Sequence, residues 1–253
     1  MVAAASKGLG RAVARGLAME GAKVAICSRD AHAVEEAAAA IAGETAAEVW
    51  PWRADVSDPN QARGFVHGAA ARFGALHILV NNAGGPPSAS FLELSDEQWA
   101  EAFRTNLMSA VALSREAVPY MREGGWGRVI NMTSVAVKQP LEGLVLSNAL
   151  RAGVIGFAKT LADELAADHI TVNNVCPGYI LTDRVRELAK TLAAKMGVSE
   201  EEVVRGWESS IPLRRLGRPE EFADLVIFLA SERASYITGA TIQIDGGFYR
   251  GLM

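Results

Sequence analysis

The chain has 253 residues, 50% of them apolar and 21% charged, a length and balance that suit one globular domain with a full core. With 25 Lys and Arg against 29 Asp and Glu and no basic run, it carries no nucleic-acid footprint. No apolar run of about 18 residues escapes charge, which argues against a membrane span, and Met1–Ala5 lacks the basic and long apolar regions of a leader.

The predicted elements alternate. Lys23 to Cys27 reads as a strand and Ala31 to Ala42 as an Ala/Glu helix. Ala47 to Ala54 is strand-like, Asp58 to Phe73 helical, and His77 to Asn81 a strand apolar enough to be buried on both faces. Ser95 to Arg122 reads as one long helix, opened by a Ser95/Gln98 capping box. Arg128 to Met132 is a strand, Leu144 to Ala167 a helix, and Ile170 to Cys176 a strand. Pro219 to Ala230 is a helix with Pro in its first turn, and Thr241 to Asp245 is the last strand. Cys27 and Cys176 lie in strand-like runs and are expected as buried thiols of a reduced, cytoplasmic setting. The four His and two Cys are not spaced as a zinc set.

Strands alternating with helices, and no hairpin turns, predict an α/β fold, a parallel sheet covered on both faces. The whole chain, 1–253, reads as one domain. Residues 183–212 break the rhythm as two charged, amphipathic helical pieces, the second opened by Ser199 and Glu202. Their place beside a strand end predicts a helical lid over a site; the plainer alternative is a surface excursion.

The stretch Ala5-Ser6-Lys7-Gly8-Leu9-Gly10 leaves a short strand and opens a helix. Glycines there let backbone amides approach a pyrophosphate at the helix N-terminus, although a plain strand-to-helix turn has the same look. The next strand ends Cys27-Ser28-Arg29, with no acid until Asp30. A site for NAD asks for an acid at that strand end to take the ribose 2′-OH. Arg29 and Lys7 suit a 2′-phosphate instead, or else are solvated surface cations.

Further motifs fall in order: Asp55-Val56, Asn81-Asn82-Ala83-Gly84, Asn106, Asn131-Met132-Thr133-Ser134, the run from Pro177-Gly178-Tyr179-Ile180 to Thr182, Gly217-Arg218-Pro219, and Asp245-Gly246-Gly247. As an ordered set spanning the chain, they resemble the short-chain dehydrogenase/reductase family, and within it the 3-oxoacyl-(acyl carrier protein) reductase-like members. The resemblance implies a doubly wound, seven-stranded parallel sheet (a Rossmann fold), a nicotinamide dinucleotide across its C-terminal edge, a small-molecule carbonyl or alcohol substrate, and a homotetramer. It implies that Ser6, Lys7, Gly8, Leu9 and Gly10 hold pyrophosphate and ribose. Ser28 and Arg29 meet the adenosine ribose, and Asp55 and Val56 flank adenine. Asn82, Ala83 and Gly84 support sheet and cofactor, and Pro177, Gly178, Ile180 and Thr182 position the nicotinamide. Ser134 and Asn106 match the catalytic Ser and Asn. With Arg29 and Lys7, the expected cofactor is NADP(H) rather than NAD(H).

Two departures stand against this pattern. The family's opening Thr-Gly is Ala3-Ala4, tolerable if Ala4 keeps a negative φ, and so few residues precede the loop that the first strand is nearly absent. The family's Tyr and Lys fall on Ser147 and Arg151, still on one helical face at i,i+4. A Ser hydroxyl is a weaker acid than a phenol, and Arg does not exchange protons near neutrality. Loss of a general acid costs about 10²–10⁴ in rate, while Arg151 retains ribose hydroxyls and developing negative charge as targets. Tyr179 is a replacement candidate, with packing against the lid as its alternative role. Lys138 and Glu142, on the loop after Ser134, are weaker candidates. The expected function is an NADP(H)-linked oxidoreductase with an altered proton-transfer set. Its alternatives are a non-redox lyase or dehalogenase-like enzyme and a catalytically silent NADP(H)-binding protein.

Overall fold

A computed structural model describes residues 1–252. Its strands are β1 (Val24–Ser28), β2 (Val49–Arg53), β3 (Ile78–Asn81), β4 (Gly127–Met132), β5 (Ile170–Pro177) and β6 (Thr241–Ile244), and every pairing between them is parallel. The opening segment joins β1 to β3. Val2 N donates to Ala25 O at 2.8 Å and Ala5 N to Cys27 O at 2.9 Å on one side. On the other side Ala3 N donates to Val80 O at 3.1 Å, and Val80 N donates to Met1 O at 2.9 Å. The order is therefore β2, β1, the opening segment, β3, β4, β5, β6. The opening residues, which look too few to make a strand, are the centre of the sheet because both neighbours pair with them.

Strand side chains alternate between two cores, as a pleat requires. Met1, Ala3, Ala25, Cys27, Leu79, Val129 and Val172 face one. There they meet α3 (Pro59–Phe73), α5 (Ser109–Glu123) and α6 (Val145–Leu165) through Phe65, Met121 and Leu165. Val2, Ala5, Ile26, Val80, Ile130 and Val175 face the other, against α1 (Gly8–Met19), α2 (Ala31–Thr45) and α9 (Pro219–Ala230) through Leu17, Ile41 and Phe222. Each large side chain so buried contributes about 1.5–3 kcal/mol. Cys27 and Cys176 are both buried and free. Among the described residues, no helix is long and apolar enough to cross a membrane.

The helix caps act where the sequence places them. Asp30 and Asp58 accept from the first turns of α2 and α3, and Ser95 and Ser199 form full capping boxes. The long helix expected over residues 95–122 runs without a break, but its winding is not uniform. It is α4 (Asp96–Phe103), a π turn over Arg104–Met108, then α5. The wider turn shifts the phase between the two halves, and such turns occur frequently at functional sites.

Past β5, α7 (Asp183–Met196) and α8 (Glu200–Ser210) pack on each other through Ala189, Ala193 and Val203. The chain leaves the opening segment toward β1 on one side, and crosses to β3 on the other after β2. The loops diverge at that reversal, which opens a crevice beyond the C-terminal ends of the strands.

Candidate active site

The crevice is a cleft of ≈ 820 Å³. Its floor starts at the opening segment. Ala4 turns the chain with φ +46° and Gly8 with φ +60°. Ala4 is a correction: the family-like turn keeps a left-handed backbone here, and an Ala occupies it. The following turn is tight enough that a side chain on Gly10 would start 2.7 Å from both Ala4 O and Asn82 Nδ2. Asn82 Nδ2 holds the crossing closed, donating to Ala3 O at 3.1 Å and Ala4 O at 3.0 Å. No side chain caps α1. Its first amides, those of Gly8, Leu9 and Gly10, border the cleft together with Ser6 and Lys7, the arrangement that suits an anion at a helix N-terminus.

At the β1 edge, Ser28 and Arg29 line the cleft. Ser6 Oγ donates to Ser28 Oγ at 3.1 Å and ties the loop to the strand. Asp30, the nearest acid, accepts from Ala33 N at 3.1 Å and is occupied as a cap. Arg53, which no sequence motif marks, donates from Nε to Arg29 O at 3.4 Å and adds a guanidinium to the same edge; its register opposite Ser28 is the signal that finds it. Beside it, Asp55 accepts from Ser57 N and Oγ at 2.9 and 2.7 Å, and Asp55 and Val56 form the adjoining wall.

The other end of the cleft gathers Asn82, Ala83, Gly84, Asn106, Ser134, Ser147, Arg151, Pro177, Gly178, Ile180 and Thr182, so the sequence candidates from both ends meet in one space. Gly178 is required where it stands, since a side chain there would begin 2.7 Å from Asp245 Cβ. Thr182 caps α7. Ser134 Oγ accepts from Ala136 N at 3.1 Å, which leaves its proton to donate. Ser147 is buried at the wall. Asn106 sits in the π turn, its Nδ2 donating to Ala102 O at 3.3 Å and its Oδ1 making no hydrogen bond within the protein. It shares a polar pocket of ≈ 10 Å³ with Asn81, Asn131 and Arg151. Asn81, Asn131 and Asn174 stand in register on β3, β4 and β5 and are joined by side-chain hydrogen bonds of 2.8 and 3.0 Å, a ladder under this end of the cleft.

Arg151 Nη1 donates to Met132 O at 2.9 Å and Thr133 O at 3.0 Å, at the end of β4 just before Ser134. Burial lowers this guanidinium to about 10, with the like charge of Arg184 adding to the effect and Cys176 opposing it. It stays charged at neutral pH.

Tyr179 is the second correction among the site candidates. It is not among the cleft-lining residues. Its ring stacks on Trp207 of α8 at 4.6 Å and meets Phe248 edge-on at 5.5 Å. Burial pushes its phenol above the ordinary value, so it is also a weaker acid. Its position after Pro177-Gly178 sends it into packing against α8, where aromatic contact outweighs exposure. Among the described residues no tyrosine lines the cleft, and neither Lys138 nor Glu142 does. From the first turn of α7 Arg184, missed in the sequence, reaches across to donate to Pro86 O at 2.8 Å.

The family profile described as enoyl-(acyl carrier protein) reductase matches residues 3–249. The nodulation protein G of Azospirillum brasilense is 38% identical over 250 residues, covering 98% of this chain and 96% of its own. The 3-oxoacyl-[acyl-carrier-protein] reductase FabG of Escherichia coli is 37% identical over 249 residues, covering 98% and 96%. Among solved structures, L-sorbose reductase from Gluconobacter frateurii, complexed with NADPH and L-sorbose, superposes with TM-score 0.95 at 34% identity, over 99% of this chain and 96% of that one.

Proposed function

The chain belongs to the short-chain dehydrogenase/reductase family of oxidoreductases, and from that membership we propose that it is an NADP(H)-dependent reductase of a small carbonyl compound with an altered proton-transfer set. The charge at the tip of β1 carries this reading. Lys7 and Arg29 line the cleft there, Arg53 stands beside Arg29, and Asp30 is spent on capping α2. A 2′-phosphate suits that edge, whereas a bare ribose 2′-OH asks for a carboxylate. The uncapped amides of α1 suit a pyrophosphate. The sorbose reductase that this chain resembles was solved with NADPH.

When bound, NADPH supplies a hydride to the carbonyl carbon, and the carbonyl oxygen takes up one proton. Ser134 and Ser147 donate hydrogen bonds to that oxygen. Arg151 sets a fixed positive charge beside it, which favours the negative charge that develops there. With no phenol at the cleft, the proton comes from water by way of these hydroxyls. Helices α7 and α8, over residues 183–212, are the lid that excludes bulk water.

The missing phenol also favours a second reading, a protein that binds NADP(H) without turnover. Equilibrium titration with NADPH and NADH, read by nicotinamide fluorescence, tests the first step; NADPH oxidation with a panel of small ketones and oxo acids tests the second. NADPH-selective binding, lost on Arg29→Asp in favour of NADH, together with oxidation, is the expected result. Binding without oxidation leaves the second reading, and binding of neither cofactor overturns both.

A further inference from the structure

Two guanidiniums face the catalytic end of the cleft, and both are bonded to carbonyl oxygens only. Arg151 uses Met132 O and Thr133 O, and Arg184, on the first turn of α7, uses Pro86 O. Arg184 lies flat along Gly85, where a side chain would start 3.5 Å from its Nε. Among the described residues no carboxylate pairs with either. Of the cleft's acids, Asp55 accepts from Ser57, Asp183 bridges to Arg186 at 3.6 Å, and Glu101 holds Arg104 and Thr105. Glu187 lines the cleft one turn along α7 without an ion pair to Arg184.

Like charges sharing a cavity raise the affinity of that cavity for an anion. The cofactor's phosphates have their own seats at α1 and at the β1 tip. In the sheet order the opening segment and β3 separate that tip from β4, about 14 Å at the usual strand spacing. Arg151 stands at that β4 end and Arg184 against the loop after β3, and on the reductase reading their unpaired charge is left to the substrate. Carbonyl oxygens satisfy only part of a guanidinium's five donors, and its planar fork matches a carboxylate.

We propose that Arg184 is a substrate-selecting residue that reads a carboxylate on the carbonyl substrate, so that short oxo acids are preferred over neutral ketones. This rests on the reductase reading above. Carried on the lid, Arg184 also links recognition to closure, since the acid that engages it holds α7 against the Gly85–Pro87 loop.

The test is calorimetric titration of the protein saturated with NADP⁺, using short straight-chain oxo acids and their methyl esters. Wild type is expected to bind at least one acid about tenfold more tightly than its ester. Arg184→Met and Arg184→Gln are expected to remove about 10–100-fold of acid affinity, leave ester affinity unchanged, and leave NADPH affinity unchanged as the control for folding. Arg184→Lys recovers part of the loss. Equal binding of acid and ester by wild type overturns the proposal. So does a parallel loss of NADPH affinity in the Arg184 variants, which assigns Arg184 to the cofactor's phosphates. Failure of wild type to bind NADP⁺ overturns instead the reductase reading on which the proposal rests.

Discussion

Ala4→Gly is expected to stabilise the protein. Ala4 holds φ +46°, a left-handed conformation that costs an L side chain about 1–2 kcal/mol. Glycine removes that cost, but it loosens the unfolded chain by about 0.4–1 kcal/mol. It also gives up a half-buried methyl, about 0.4 kcal/mol. The balance is a gain of about 0.5 kcal/mol, or about 1–2 °C in Tm for a chain of this size. The neighbouring Ala3→Gly supplies the contrast. Ala3 is fully buried in the central strand, with no positive φ. Glycine there loses a buried methyl and stiffness together, a destabilisation of about 1–2 kcal/mol and about 3–6 °C in Tm. Urea unfolding and calorimetry of the two variants without cofactor read both values, and an unchanged m confirms that the denatured state is comparable. If Ala4→Gly lowers Tm as Ala3→Gly does, the loop holds no strain at Ala4 and the reasoning fails.

Other outcomes follow from the same geometry. Ser147→Tyr with Arg151→Lys restores a titratable pair at i,i+4 and is expected to raise NADPH-dependent ketone reduction by about 10²–10⁴; steady-state rates unchanged from wild type would mean that the wall at Ser147 serves other chemistry. Gly10→Ala puts a methyl 2.7 Å from Ala4 O and Asn82 Nδ2, so it is expected to cost about 1–3 kcal/mol and to abolish NADPH binding, both readable in one fluorescence titration and one melt. Glu221 caps α9 and forms two bonds to Arg215, and these partners lower its carboxyl to about 2. A lowered folded-state value means that the stabilisation is full above the ordinary carboxylate range and fades as pH falls toward 2. Glu221→Gln is therefore expected to lower Tm at neutral pH and to shrink the acid-side decline; an identical pH profile would show that the cap carries none of it.

Much of the fold was legible because its determinants are local. Capping boxes at Ser95 and Ser199, Pro219, and the apolar run before Asn81 fix element types, and the observed ends fall within a few residues of those predicted. What was not legible depends on partners distant in the chain. The central strand exists because Ala25 and Val80 pair with it, and the few residues of Met1–Ala5 read only as a short strand, with no sign of its extent. The π turn at Arg104–Met108 carries no sequence signal of its wider winding. The site candidates came mainly from the family resemblance, and all but Tyr179 and the weaker candidates Lys138 and Glu142 line one cleft. Tyr179 was misplaced because its ring follows Trp207 and Phe248, neither of which is near it in sequence. Arg53 and Arg184 were missed for the same reason: their places beside Arg29 and Pro86 come from strand register and from the path of α7.

The exchange at α6 has a consistent physical sense on the proposed reading. A guanidinium has enough donors to brace Met132 O and Thr133 O with one nitrogen and still present charge to the cleft. Arg151 thus sets the strand end that carries Ser134 and supplies the field that Ser134's hydrogen bond works in. What the pair Ser147 and Arg151 gives up is a group that exchanges protons readily. Such a site binds and polarises a carbonyl better than it protonates one, so the intrinsic reactivity of the substrate decides the rate. A carbonyl next to a carboxyl group is electron-poor and accepts hydride more easily than a simple ketone. The acid that Arg184 selects is then also the kind of substrate that this proton-poor site is able to reduce.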